Sequence, residues 1–367
     1  MPLLYLLSLF AVTASFAADR LDRSLQPPGG LAPREVPQFI ILGFDDNPAV
    51  EPMAWFVEQL KDRRNPVGTG QSATFDGALV RMVFFSNGSP WKDPALVAIH
   101  RRAVADGHEL ANHTQTHPEG SDLFSIKRWR QEIVTCDQTF LKASVLKIQT
   151  PGFRAPNAAC GDTCFKAVAA VGKLYDSSIP EDYKVDGSGM NFPWPYTLDA
   201  GSQGNALFYS DDSPRRIKFT YPGLWEIPMN AYLVPGDDET ERYGITPGLR
   251  KRMQNTLDGK SEIRSEARLF QPISGRMNGV DLSYMYFGGA TPAEYLVILK
   301  HTLDQRLASN RAPLMIIGHT WFYPADQPER RQAMKDFLDY ALSKPEVRFV
   351  TATQLIDWLR HPIALSP

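Results

Sequence analysis

Phe39-Ile40-Ile41-Leu42-Gly43-Phe44-Asp45-Asp46-Asn47-Pro48 is the stretch whose reading decides the fold. An unbroken apolar run ends abruptly in two carboxylates, an asparagine and a proline. A run without apolar–polar alternation predicts a strand buried on both faces, as in a parallel sheet covered by helices. Asp-Asp-Asn-Pro is good turn chemistry, so the strand stops there. In a parallel barrel the loops after the strands carry the chemistry. Side chains alternate along a strand, so Asp45 and Asp46 can do different work. Taken alone, a turn or helix cap explains the pair better than catalysis does.

Working outward, further apolar runs predict strands at Leu79–Phe85, Glu109–His113, Gly152–Ala155, Lys173–Ile179, Leu224–Met229, Leu314–His319 and Arg348–Thr351, beside Phe39–Phe44. Helical spacing appears between them. Val50, Met53, Val57 and Leu60 form one stripe. Pro94–Ala105 and Ile126–Val145 are further helices, and another opens on Thr291, Pro292 and Glu294 with a capping-box pattern. This alternation predicts an α/β protein with a barrel-like parallel sheet. Residues 181–221 and 235–289 lack clean periodicity and read as long loops over one face.

The ends read differently. Leu3 begins a short apolar run followed by small residues, with Ser15 and Ala17 suited to cleavage after Ala17. Residues 1–17 are therefore expected to be a signal peptide, 18–37 a Pro/Gly-rich linker, 38–361 one catalytic domain and 362–367 a tail. No later stretch is apolar and long enough to span a membrane, so none is expected in the mature form. Lys plus Arg total 39 against 41 acidic residues, a balance that argues against nucleic-acid binding. Three cysteines in an exported chain allow one bridge. Cys136 falls on a helical core stripe, which makes Cys160–Cys164 the first pairing to expect; pairing of Cys136 with either stays open.

Four polar clusters sit at ends of apolar runs. Asp45 and Asp46 are the first. His113 and His117, four apart in His-Thr-Gln-Thr-His, can reach one ion. Arg154, in Arg-Ala-Pro-Asn, can orient a carboxylate through charge-assisted hydrogen bonds. His319 ends another apolar strand in Gly-His-Thr-Trp. Each has an ordinary structural explanation alone, as a turn, a surface histidine pair, a salt bridge or a satisfied core histidine. Together they supply three ligands of metal-site type, a second carboxylate, an arginine and a separate histidine. The remaining histidines, His100, His108, His301 and His361, are assigned no role.

The set resembles the polysaccharide deacetylase family, the NodB-homology domain of carbohydrate esterase family 4. The matching pieces are FDD at 44–46, HTxTH at 113–117, RAP at 154–156 and GH at 318–319, in the family's order. YDSSI at 175–179, WPYTLD at 194–199 and LWEIPMN at 224–230 look like its chitin deacetylase branch. The resemblance implies an irregular (β/α) barrel with long loops over the active-site face. It implies Asp45 as catalytic base, Asp46, His113 and His117 as metal ligands, Arg154 as orienter of Asp45 and His319 as acid. Asn157 would lie at the oxyanion position, and Trp225 would shape the wall near the acid. Trp194 and Tyr196 are further candidate sugar contacts, because aromatic faces suit sugar rings. A divalent cation is implied, zinc first, with cobalt or manganese able to serve.

The expected activity is removal of acetyl groups from chitin-type N-acetylglucosamine polymers. An O-acetyl esterase, a peptidoglycan deacetylase and a catalytically silent glycan binder are the alternatives. Three departures stand out: Gly43 where the family often has threonine, Asn157 where it often has tyrosine, and no match to the family's aspartate–tryptophan motif. The last leaves open which carboxylate partners Arg154.

Overall fold

The computed structural model describes residues 19–181, 191–260 and 272–365. The expected signal peptide at 1–17 lies outside them, as do the last two residues of the tail. The central strand is β1 (Gln38–Asp46), fully buried along nearly all of its length. Its alternation sorts two layers. Ile40, Leu42 and Phe44 pack with Met53, Phe56, Val57 and Leu60 of helix α1 (Val50–Leu60) and with Leu96 and Ile99 of helix α2 (Pro94–Ala105). Phe39 and Ile41 join a second cluster with Val83, Phe85, Met315 and Ile317. Strands buried on both faces need no polar alternation, which is why β1 reads as one continuous apolar run.

The other strands are β2 (Val83–Ser86), β3 (Glu109–Asn112), β4 (Gly152–Phe153), β5 (Tyr175–Asp176), β6 (Pro180–Glu181), β7 (Tyr196–Leu198), β8 (Tyr221–Glu226), β9 (Met229–Asn230), β10 (Tyr232–Leu233), β11 (Arg276–Met277), β12 (Leu314–His319) and β13 (Val347–Phe349). The main sheet runs β12-β1-β2-β3-β4-β5-β8-β7, with β13 also on β1. Its pairings are parallel except β7 with β8. This is an irregular, incomplete (β/α) barrel, as the family resemblance implies. Register puts the polar strand ends in line: Asp45 opposite His319, Asp46 opposite Ser86, Ser86 opposite Asn112 and Asn112 opposite Phe153.

Some expectations change. The two stretches read as loops contain β7, the helices Gln203–Phe208 and Leu249–Asp258, and several short elements. Residues 19–37, read from their Pro/Gly content as a linker, pack along the barrel. Trp225 Nε1 donates to the Asp19 carboxylate at 2.8 Å, Leu21 N to Thr197 Oγ1 at 3.0 Å and Trp194 N to Ser24 O at 3.0 Å. The expected Cys160–Cys164 bridge is not made, because all three cysteines are free and buried. Cys160 Sγ points at the Ser178 carbonyl, 3.9 Å away, and Cys136 Sγ at the Ser86 carbonyl, 3.6 Å away. Cys136 lies in helix α3 (Ile126–Lys142), and Cys164 opens helix α4 (Asp162–Ala170). Among the described residues no helix is long and apolar enough to cross a membrane.

Candidate active site

Asp45 shares the parity of Phe39 and Ile41 and is 7% exposed. Arg154, directly after β4, is 1% exposed and donates through Nη1 to Asp45 Oδ1 at 2.7 Å. The rest of its fork is also filled. Nη1 reaches Gly43 O at 3.1 Å, Nε reaches Ser177 O at 2.8 Å and Nη2 reaches Ser177 Oγ at 3.0 Å. The guanidinium lies over the Phe85 ring, 3.9 Å from its centre. A buried charge with every donor direction used is held in one orientation. The carboxylate partner of Arg154 is thus Asp45 itself. Gly43 leaves the room these groups use, since a Cβ there would lie 2.7 Å from Met315 Sδ and 3.3 Å from Arg154 Nη2.

Asp46 and Asn47 both have positive φ, 66° and 56°. Asn47 Nδ2 fixes this turn by donating to Phe44 O at 2.9 Å, Phe85 O at 3.2 Å and Ser86 Oγ at 3.2 Å. Thr114, His117, Asn157 and Ala158 are also left-handed, so six of the nine such non-glycine residues described flank this one cleft. Left-handed non-glycine backbone costs energy and persists where the surroundings over-determine it, which marks functional sites.

His113 Nδ1 lies 2.8 Å from Arg154 O. A carbonyl only accepts, so Nδ1 carries the proton and Nε2 offers its lone pair. That Nε2 sits 3.6 Å from Asp46 Oδ1, and His117 Nε2 sits 3.4 Å from the same oxygen. Asp46, His113 and His117 each place one ligand atom within 4.8 Å of the others. Asp46 Oδ1 is buried and has no hydrogen-bond donor. An undonated buried carboxylate oxygen is costly, and a cation among two imidazoles and this oxygen would satisfy it. These residues therefore fit a divalent metal. Burial pushes the Asp46 carboxyl up, but His113, His117 and His319 outweigh it and hold it below the usual carboxylate range.

Across the cleft, His319 Nε2 approaches Asp46 Oδ2 at 3.9 Å. Its Nδ1 faces Asp281 Oδ1 at 2.9 Å, and its backbone N–H donates to Asp281 Oδ2 at 2.9 Å. Burial opposes charge on this imidazole, yet Asp281, helped by Asp45 and Asp46, moves it up to about 9. Trp321 packs at 5.0 Å from the His319 ring and points Nε1 toward Asp46 Oδ2 at 3.4 Å.

Asp45, Asp46, His113, His117, Arg154 and His319 are therefore brought together, and Asn157 is exposed on the turn after Arg154. Asp281 is the residue the sequence reading missed. It is fully buried in a stretch read as loop, and its partner is 38 residues away, so no local pattern marks it. Trp321 could have been found, standing two positions beyond His319.

Three expected sugar contacts are corrected. Trp194, Tyr196 and Trp225 are each 1% exposed. Trp194 stacks on Trp358, Tyr196 donates its hydroxyl to Glu181 at 2.6 Å, and Trp225 holds Asp19. Their indole and phenol faces are spent on core packing and cannot meet a sugar ring.

Residues 34–175 match the family model for polysaccharide deacetylase. Over 346 residues, 91% of its length, the chain is 25% identical to chitin deacetylase 1 of Bombyx mori, and it spans about half, 53%, of that relative. It is 23% identical to chitin deacetylase 8 of Bombyx mori, covering 92% of the chain and 74% of the relative. A solved structure of a putative polysaccharide deacetylase from Mycobacterium smegmatis superposes with a TM-score of 0.54 at 15% identity, covering 94% of this chain and 99% of that one. That likeness supports the fold.

Proposed function

We propose that this chain, which matches the polysaccharide deacetylase model over residues 34–175 and resembles chitin deacetylases, is an exported, metal-dependent hydrolase of N-acetyl groups on chitin or chitooligosaccharides. One observation carries the reading: the Arg154-held Asp45 and the Asp281-held His319, register partners on adjacent strands, stand beside the Asp46–His113–His117 cluster. The two relatives named for chitin deacetylation support the substrate, and the apolar N-terminus supports export.

Asp46, His113 and His117 would hold a divalent cation, zinc first, which supplies Lewis-acid polarisation of the acetyl carbonyl and a more acidic water. Asp45 accepts the proton of the attacking water, and the buried Arg154 guanidinium holds its carboxylate in place. The turn at Asn157 lies beside Arg154, where a backbone N–H suits the developing oxyanion. His319 carries a proton on Nε2 at neutral pH because Asp281 favours its charged form, and it gives that proton to the departing amine. Water and amide become acetate and free amine.

The test is acetate release from chitin oligosaccharides by chelator-stripped protein, with and without added zinc, beside Asp45→Asn. Activity that needs zinc and is lost in the variant supports the reading. Acetate released only from acetylated xylan or peptidoglycan would keep the chemistry and replace the substrate. A folded chain that binds no cation and releases no acetate would make it a glycan binder.

A further inference from the structure

Helix α3 carries polar groups whose role the proposed chemistry leaves unexplained. Asp137 is 5% exposed in the middle of this amphipathic helix and pairs with Lys173 Nζ at 2.6 Å, itself 5% exposed. A buried ion pair is weak support for stability, since apolar residues of like volume usually serve as well. Its connections suggest another use. Asp137 Oδ1 accepts from Asn112 Nδ2 at 2.9 Å and from Thr150 Oγ1 at 2.7 Å. Lys173 Nζ in turn reaches Thr150 O at 2.9 Å.

Asn112 is the last residue of β3 and is fully buried, immediately before His113. Its amide is used completely. Nδ2 donates to Asp137 and to Ile133 O, and Oδ1 accepts from Thr114 N at 2.9 Å. Thr114 is the residue with φ of 71°, a conformation that a β-branched side chain rarely adopts. Its own Oγ1 accepts from His117 N at 3.1 Å. The chain of bonds therefore runs from Lys173 through Asp137 and Asn112 to the turn that sets His113 and His117 at their separation. A second arm leaves the same helix: Glu132, 3% exposed, accepts from Thr116 N at 3.0 Å. A third, Thr139 Oγ1, donates to Gln115 Oε1 at 3.0 Å.

We infer that the Lys173–Asp137–Asn112 relay is a positioning device for the two-histidine turn, and that it sets metal affinity rather than fold stability. Asp137 fixes which way the Asn112 amide points, and only one orientation presents Oδ1 to Thr114 N. Without Asp137 the amide keeps only one of its two Nδ2 acceptors, Ile133 O, and the left-handed turn is held less firmly. Groups behind metal ligands in this way usually change affinity by about 10–100-fold when removed.

The inference rests on Asp46, His113 and His117 being metal ligands, and its test separates the two. Zinc affinity of the full chain is measured by chelator competition for wild type, for the apolar double variant Asp137→Leu/Lys173→Met, and for Asn112→Ala. Melting of each zinc-free protein is measured beside it. The expected result is zinc binding weakened at least tenfold in both variants, with the double variant's zinc-free melting point close to that of wild type. If the double variant does not fold, Asn112→Ala, which leaves the ion pair and Thr150 intact, carries the test alone. Wild-type zinc affinity in the folded variants overturns the inference alone, and a wild-type chain that binds no zinc overturns both readings.

Discussion

Two carboxylate pairs stand at strand ends of one sheet, and their surroundings make them opposites. Asp45 and Asp46 end β1 among Arg154, His113, His117 and His319. Asp176 and Glu226 sit opposite each other on β5 and β8, both fully buried. The second pair meets mainly neutral donors. Asp176 accepts from Ser178 N at 2.8 Å and Ser178 Oγ at 3.0 Å, and Glu226 accepts from Ile179 N at 3.1 Å. Burial pushes Asp176 up to about 6 and, with Asp176 beside it, pushes Glu226 well above the carboxylate range. Asp46 is shifted down. The same residue types thus form the acidic part of a candidate cation cradle at one place and a proton-holding strut at the other. The strut supports the cradle, because Ser178 Oγ also accepts from Ala155 N and Ser177 holds Arg154.

The largest effect should come from breaking the cradle. His113→Ala removes one of three ligands, and acetate release and zinc binding should both fall to background; persistence of either in a folded variant would remove the metal reading. Asp45→Asn keeps the shape but not the basicity. It should lower kcat by about 10²–10⁴-fold, the usual worth of a positioned general base, while zinc binding, measured separately, persists. Asp281→Asn should come next, at about 10²-fold in kcat, because the amide still contacts His319 but no longer favours its charged form. A smaller kcat loss than for Asp45→Asn, with KM unchanged, is the expected pattern; an unchanged kcat would separate His319 from proton transfer.

That ranking also marks what the sequence could reveal. β1 and β12 are long apolar runs buried on both faces, so their ends, and with them Asp45, Asp46 and His319, are visible in one dimension. His113 and Arg154 each follow the end of a strand, β3 and β4, although β4 has only two residues and shows no period of its own. Asp281 was invisible because its meaning lies in a contact 38 residues away. Trp194, Tyr196 and Trp225 were misread because burial is a tertiary property. β7 has three residues, too few to display alternation, and both faces of the sheet here are covered: Tyr196 packs in one cluster and Trp194 and Trp225 in another. YDSSI and LWEIPMN helped to identify the family, yet their carboxylates, Asp176 and Glu226, belong to the strut.

The smallest expected effect tests the strut itself. A carboxyl group whose native pKa is raised above its unfolded value binds its proton more tightly in the folded state. Its favourable contribution is therefore complete below the unfolded value, near 4, and is lost as pH rises through the native value. For Asp176 that window runs from about 4 to about 6, and Glu226 extends it upward. Glu226→Gln keeps the volume and the neutral form at every pH. Wild type and variant should melt together near pH 4. By pH 8 the variant should melt higher, by about 2–4 °C for each kcal/mol of relieved charge burial in a domain of this size. Titrating groups other than Asp176, which faces Glu226, are common to both proteins and cancel in the difference. A melting difference that stays constant from pH 4 to pH 8 would mean that Glu226 is ionised throughout. The two carboxylate pairs would then differ in their partners but not in their protons.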